Sequence, residues 1–105
     1  MQDSDLKRIK NFVRVCFEIE EALNISWTQK KVLLKVLDLW RYQSYAPRIT
    51  EVAYSVSETS ESSVYRHLKV LIKKKWLQVK VDEHDHRVKF VEPTPRLIKA
   101  LALKV

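Results

Sequence analysis

Near Trp76 the hydrophobic period of the chain changes from 3.6 residues to 2, and this change narrows the possible folds more than any other feature. Before it, Val64, Leu68, Leu71 and Ile72 recur at the three- and four-residue spacing of a helix running from near Ser60 to about Lys74. After it, Leu77, Val79 and Val81 alternate with Gln78, Lys80 and Asp82. Beyond the polar stretch Glu83-His84-Asp85-His86, Val88, Phe90 and Glu92 share one face while Lys89 and Val91 share the other. Two short strands around a polar turn predict a hairpin that follows the helix at once.

Upstream of that helix, a short one is predicted from Thr50 to about Ser55, with Val52, Ala53 and Val56 turned inward and Ser57-Glu58-Thr59 as a tight break. Leu6, Ile9, Phe12, Val13, Cys16, Phe17, Ile19 and Leu23 mark an amphipathic helix over 4–23. Ser26 and Gln29 have capping-box spacing and open a helix carrying Val32, Leu33, Val36, Leu37 and Trp40 on one face. Arg41 to Pro47 reads as a loop, because the residue before a proline is biased away from helix. Thr94 as cap and Pro95 at the first helical position start a last helix over 95–104, with Leu97, Ile98, Leu101 and Ala102. The expected fold is mainly α with a small β-hairpin, in the order α-α-α-α-β-β-α. Helices across 49–74 with a hairpin across 77–92 make a winged helix-turn-helix, one domain spanning 1–105.

Charge points to a polyanionic partner. With 20 Lys and Arg against 13 Asp and Glu, the 105 residues carry a formal charge of +7. Between Val64 and Val81 stand Arg66, Lys69, Lys73, Lys74, Lys75 and Lys80 without a single carboxylate. Lysines at a helix C-terminus also complement the helix dipole. Their position beside the second helix of the pair favours contact with DNA. That helix would enter the major groove by its N-terminal end, offering Ser60, Ser62, Ser63, Tyr65, Arg66, Lys69 and Lys73.

These segments resemble the multiple-antibiotic-resistance regulator (MarR) family of winged-helix transcription factors, over roughly Ile25 to Leu97. Ser26-Trp27-Thr28-Gln29-Lys30-Lys31-Val32-Leu33 is similar to that family's entry to its second helix. Ile49-Thr50-Glu51-Val52-Ala53 resembles its opening of the helix-turn-helix, and Ser63-Val64-Tyr65-Arg66-His67-Leu68-Lys69-Val70-Leu71 its recognition helix. Asp85-His86-Arg87, seven residues before Thr94, resembles its wing signature. The resemblance implies that Arg87, beside His86, reaches into a minor groove from the wing while Asp85 braces its guanidinium; a salt bridge local to the wing is the alternative. Lys75 stands where the family usually has glycine, so a different helix ending is expected there.

Other chemistry finds little support. One cysteine, Cys16, excludes an internal disulfide and a multi-cysteine zinc site, and its apolar helical setting predicts a buried thiol. His84 and His86 fall short of the ligand set a metal normally needs. There is no glycine-rich phosphate loop, and no catalytic pairing of side chains, so neither an enzyme nor a cofactor is expected. Most of Trp27, Trp40, Trp76, Tyr42, Tyr45 and Tyr54 are expected to pack in the core. No basic-then-apolar leader opens the chain and no membrane span is present, which predicts a cytoplasmic, nucleoid-associated protein with no membrane partner. The reading is a homodimeric, sequence-specific regulator of transcription, a repressor by family analogy, that binds double-stranded DNA; its first and last helices form the interface. A winged-helix protein-interaction module, or an architectural or replication-accessory protein with little sequence preference, is the alternative.

Overall fold

The computed structural model describes residues 3–42, 46–56 and 59–102. Its elements are α1 (Asp3–Leu23), α2 (Trp27–Tyr42), α3 (Ile49–Ser55), α4 (Glu61–Lys73), β1 (Leu77–Val81), β2 (Lys89–Pro93) and α5 (Pro95–Ala102). The order is the expected one. The expected breaks at 43–45 and 57–58, Tyr45, the side chain of Tyr42 and the end of the last helix at 103–104 lie outside the described residues.

Local chemistry explains the element boundaries. The Ser26 hydroxyl accepts from the Gln29 amide at 3.2 Å and the Gln29 side chain accepts from the Ser26 amide at 3.1 Å, so the capping box that opens α2 is complete. At α3 the Glu51 carboxylate accepts from the Arg48 amide at 3.3 Å. Ser60 caps α4 by accepting from the Ser63 amide at 3.3 Å, and Thr94 caps α5 by accepting from the Leu97 amide at 3.2 Å. Two boundaries differ from expectation. Helix α2 continues through Tyr42 instead of giving way to a loop at Arg41, since the bias imposed by Pro47 reaches only the residue before it. The segment entering α3 is also partly strand-like: Arg48 bridges Phe90, and the Val91 amide donates to the Pro47 carbonyl at 2.9 Å.

The ends of α1 and α4 each use a left-handed residue. Asn24 has φ 54° and Lys75 φ 66°. After α1, Ile25 donates to the Glu20 carbonyl at 3.1 Å and Asn24 to that of Glu21 at 3.2 Å. After α4, Trp76 donates to Leu71 at 3.1 Å and Lys75 to Ile72 at 3.0 Å. Each set is a Schellman motif, so the expectation of a different ending at Lys75 is corrected. The hydrogen bonds and the buried Trp76–Leu71 end of the motif hold a lysine where glycine would be free of strain. Lys75→Gly is therefore expected to raise stability by about 1 kcal/mol, or about 4–8 °C in Tm for a domain of this size. Thermal unfolding of the two proteins checks this.

The core joins α2, α3, α4, the hairpin and α5. Val32, Leu33, Val36, Val52, Val64, Leu71, Val91 and Leu97 are fully buried, each worth about 1.5–3 kcal/mol against exposure. In the antiparallel register Val79 faces Val91 and Val81 faces Lys89, so Val91 belongs to the sheet face turned to α4, while Phe90 and Glu92 take the other. Helix α1 buries little: only Ile19 and Leu23, near its end, are in the core. Leu6, Ile9, Phe12, Val13 and Phe17 are all exposed, and Cys16, expected buried, is only half-buried because its helix projects from the body. The aromatic expectation is corrected likewise. Trp76 is buried, whereas Trp27, Trp40 and Tyr54 lie on the surface; Trp40 keeps the spacing of the packed stripe of α2 but stands at the end of the helix, a turn beyond the buried Val36.

Candidate nucleic-acid interface

The face of α4 that Val64, Leu68 and Leu71 leave free carries Ser62, Arg66, Lys69 and Lys73, all exposed. Their spacing of three and four residues sets them along one side of the helix. At its tip, Ser60 is engaged as the helix cap and its hydroxyl lies 3.3 Å from that of Ser62. The Arg66 Nη2 donates to the Ser63 hydroxyl at 3.1 Å, which holds the guanidinium toward the helix N-terminus with its other donors available. Tyr65 is half-buried and packs against the core, and His67 is half-buried as well.

The wing presents a second cation. Its turn is built on Asp82, whose carboxylate accepts from the amides of His84 at 2.8 Å and Asp85 at 3.2 Å. Val88 donates to the Asp85 carbonyl at 2.9 Å, and Asp82 to that of Val88 at 3.0 Å, closing a turn that contains no glycine. Asp85 then takes the Arg87 Nε at 3.1 Å and Nη2 at 3.3 Å, a two-pronged contact, and also the Arg87 amide at 3.1 Å. The side-chain bond and then the backbone bond from Arg87 hold the Asp85 carboxyl below the usual carboxylate range. The pair is intact at neutral pH and breaks only as the pH falls through that lowered value. Arg87 itself remains 91% exposed, so bracing fixes its direction without hiding its charge. His86, beside it, is exposed too.

Helix α4 and the hairpin meet across a cleft of about 740 Å³. Leu68, Ile72, Val79, Val81 and Val88 form its apolar floor; Arg48, Lys69, Arg87 and Lys89 stand around it, with Tyr65 on the α4 wall. Among the described residues no carboxylate lines it. The cleft thus brings together Tyr65, Lys69 and Arg87 from the sequence-derived set, and leaves Ser60, Ser62, Arg66 and Lys73 on the adjoining helix surface. Arg48, Thr50 and Lys89 join them without having been singled out from the sequence. Strand alternation already put Lys89 on one face with Val91; Arg48 had no such signal, since its position depends on the bridge to Phe90. Tyr54 of α3, also missed, is 77% exposed, and its hydrogen bond to Glu61, with the repulsion of that carboxylate's charge, raises its phenol above the usual value.

The chain matches no family model and no curated protein. Solved structures do resemble it. A Staphylococcus aureus MepR–DNA complex superposes with a TM-score of 0.69 at 21% identity, over 93% of this chain and 77% of that one. A point variant of S. aureus MepR bound to an oligodeoxyribonucleotide gives 0.69 at 21% identity, over 99% and 74% of the two chains. The adhesin competence repressor AdcR of Streptococcus pyogenes gives 0.59 at 20% identity, over 98% and 70%. The chain shares the winged helix-turn-helix fold of these structures. In this winged helix, α3 and α4 are the helix-turn-helix, with α4 in the place of the recognition helix, and β1 and β2 are the wing. No helix among the described residues is long and apolar enough to cross a membrane.

Proposed function

We propose that this winged helix is a sequence-specific regulator of transcription that binds double-stranded DNA as a homodimer, inserting α4 into the major groove and the Arg87 wing tip into the minor groove. The observation that carries the reading is the carboxylate-free cleft shared by α4 and the wing, which sets Lys69, Arg87, Lys89 and Arg48 around one groove. A duplex is a polyanion whose backbone attracts such a rim, while base edges are read by the residues beside it. In that arrangement Arg66 reads bases, Lys69 and Lys73 bind phosphate, Ser62 and Ser63 bond bases or phosphate, Ser60 sits at the tip, Tyr65 lines the groove, and Asp85 aims Arg87 with His86 alongside. The MepR structures with DNA and an oligodeoxyribonucleotide, and the repressor AdcR, support the same assignment and favour repression by blocking a promoter. The protein acts by binding rather than by a reaction, in the cytoplasm on the nucleoid.

The exposed apolar face of α1, with Ile98 of α5, supplies the dimer interface, because an isolated monomer rarely leaves so long an apolar stripe in water. Selection from a randomised duplex library at two salt concentrations tests the proposal. Enrichment of an inverted repeat with half-sites about one helical turn apart is expected. Uniform, salt-sensitive binding would instead mark an architectural protein, and no binding at low salt a protein-interaction module.

A further inference from the structure

Helix α1 is 21 residues long yet is held to the body only along its last third, where Ile19 and Leu23 are buried and Val15 packs half-buried against the core. Three polar ties reach it there. Glu20 pairs with the buried Lys30 of α2 at 3.2 Å. Lys74 Nζ donates to the Asn24 carbonyl. The Trp76 indole Nε1 donates to the Leu23 carbonyl at 3.0 Å, out of contact with water. The last two come from the cap of α4, so the end of one Schellman motif is bonded to the end of the other.

Trp76 is also where the wing and α5 are fastened. Its amide closes the α4 cap on Leu71, and its carbonyl accepts from the Thr94 amide at 3.1 Å. The Thr94 hydroxyl lies 2.8 Å from the Lys75 carbonyl and 3.1 Å from that of Trp76. Arg96 stacks its guanidinium 4.0 Å from the indole centroid and donates to the Lys74 carbonyl at 2.9 Å. A buried indole N–H normally finds an acceptor; here that acceptor is the last carbonyl of α1, so the bond joins two helix ends.

We infer that Trp76 is a positioning residue that fixes the direction of α1 relative to the recognition helix, and through it the spacing of DNA half-sites the dimer accepts. The lever is long: at 1.5 Å per residue α1 reaches about 30 Å, so a swing of about 10° at the junction moves its far end by about 5 Å. A base pair inserted between half-sites displaces them by about 3.4 Å. Loosening the junction should therefore cost the protein its ability to reject a misplaced half-site. The DNA part of this inference rests on the proposed function; the junction itself does not.

Two measurements separate them. Nitroxides on Lys10→Cys and Glu61→Cys, in a Cys16→Ser background, report the α1–α4 distance by pulsed dipolar spectroscopy, with labelled chains diluted by unlabelled ones. Trp76→Phe keeps an aromatic ring and loses the donor; it is expected to broaden the distribution by about 3–4 Å, the displacement that a swing of about 10° gives at Lys10, about 20 Å along α1 from the junction. Lys74→Met, which removes only the outer tie, is expected to broaden it less, and serves if Trp76→Phe does not fold. The library-selected duplex is then re-spaced by one base pair either way. Unlabelled protein with native Trp76 is expected to reject the re-spaced duplexes about tenfold, the cost of one mismatched pair, and Trp76→Phe by about twofold or less. Unchanged width in both variants overturns the junction. Broadened width with unchanged spacing preference overturns its role in half-site choice. Broadening in a protein that selects no duplex leaves the junction standing and overturns the proposed function instead.

Discussion

Arg66→Ala is expected to weaken binding to the selected duplex by roughly 5- to 150-fold and to relax the base preference at one position of each half-site. The magnitude is that of a two-pronged arginine–guanine contact, about 1–3 kcal/mol. Arg66 is suited to make it, because its guanidinium is exposed and one nitrogen is anchored 3.1 Å from the Ser63 hydroxyl. An anchored fork loses less freedom on binding than a free side chain. Lys69→Ala offers the internal contrast. As a phosphate contact it should weaken all duplexes alike and lower the slope of log affinity against log salt by about one. Selection repeated with each variant distinguishes the two. Equal loss across all sequences for Arg66→Ala would make it another phosphate contact, and no loss would remove it from the interface.

The parts of the fold legible in the sequence are those set by short-range chemistry. Ser26 and Gln29 announce their helix because both halves of the capping box lie within one turn. The change of period at Trp76 locates the end of α4 and the start of β1 because burial on one face imposes it. Thr94 and Pro95 do the same for α5. What the sequence hides depends on partners far along the chain. Lys75 looks unfit for a left-handed position until the bonds from Lys75 and Trp76 into the last turn of α4 are seen holding it there. Trp76 looks like any buried aromatic, since its bond to Leu23 spans two helix ends that no periodicity connects. Arg48 enters the candidate interface only through its bridge to Phe90. Asp85 and Arg87, by contrast, are two residues apart, so their geometry follows from the turn around Asp82.

The exposed stripe of α1 was legible as apolar but not as unburied, because periodicity tells which face avoids water and not what covers it. If a second copy covers it, a charged pair there should have the largest effect on assembly. Val13→Glu with Phe17→Glu would place two carboxylates on a helix face whose side chains are otherwise exposed and apolar. Burying an unpaired carboxylate is costly, so the double variant is expected to be monomeric by sedimentation. Neither position is in the core, and the helical content and the α2–α5 packing should be retained. Binding to an intact inverted repeat should then fall by about 10²–10⁴-fold, the range that linking two half-site contacts provides, while affinity for an isolated half-site stays unchanged. That pairing of results is specific to assembly through α1. A variant that remains dimeric and keeps its affinity would move the interface elsewhere, and one that loses half-site binding as well would show that α1 supports the winged helix directly rather than through a partner.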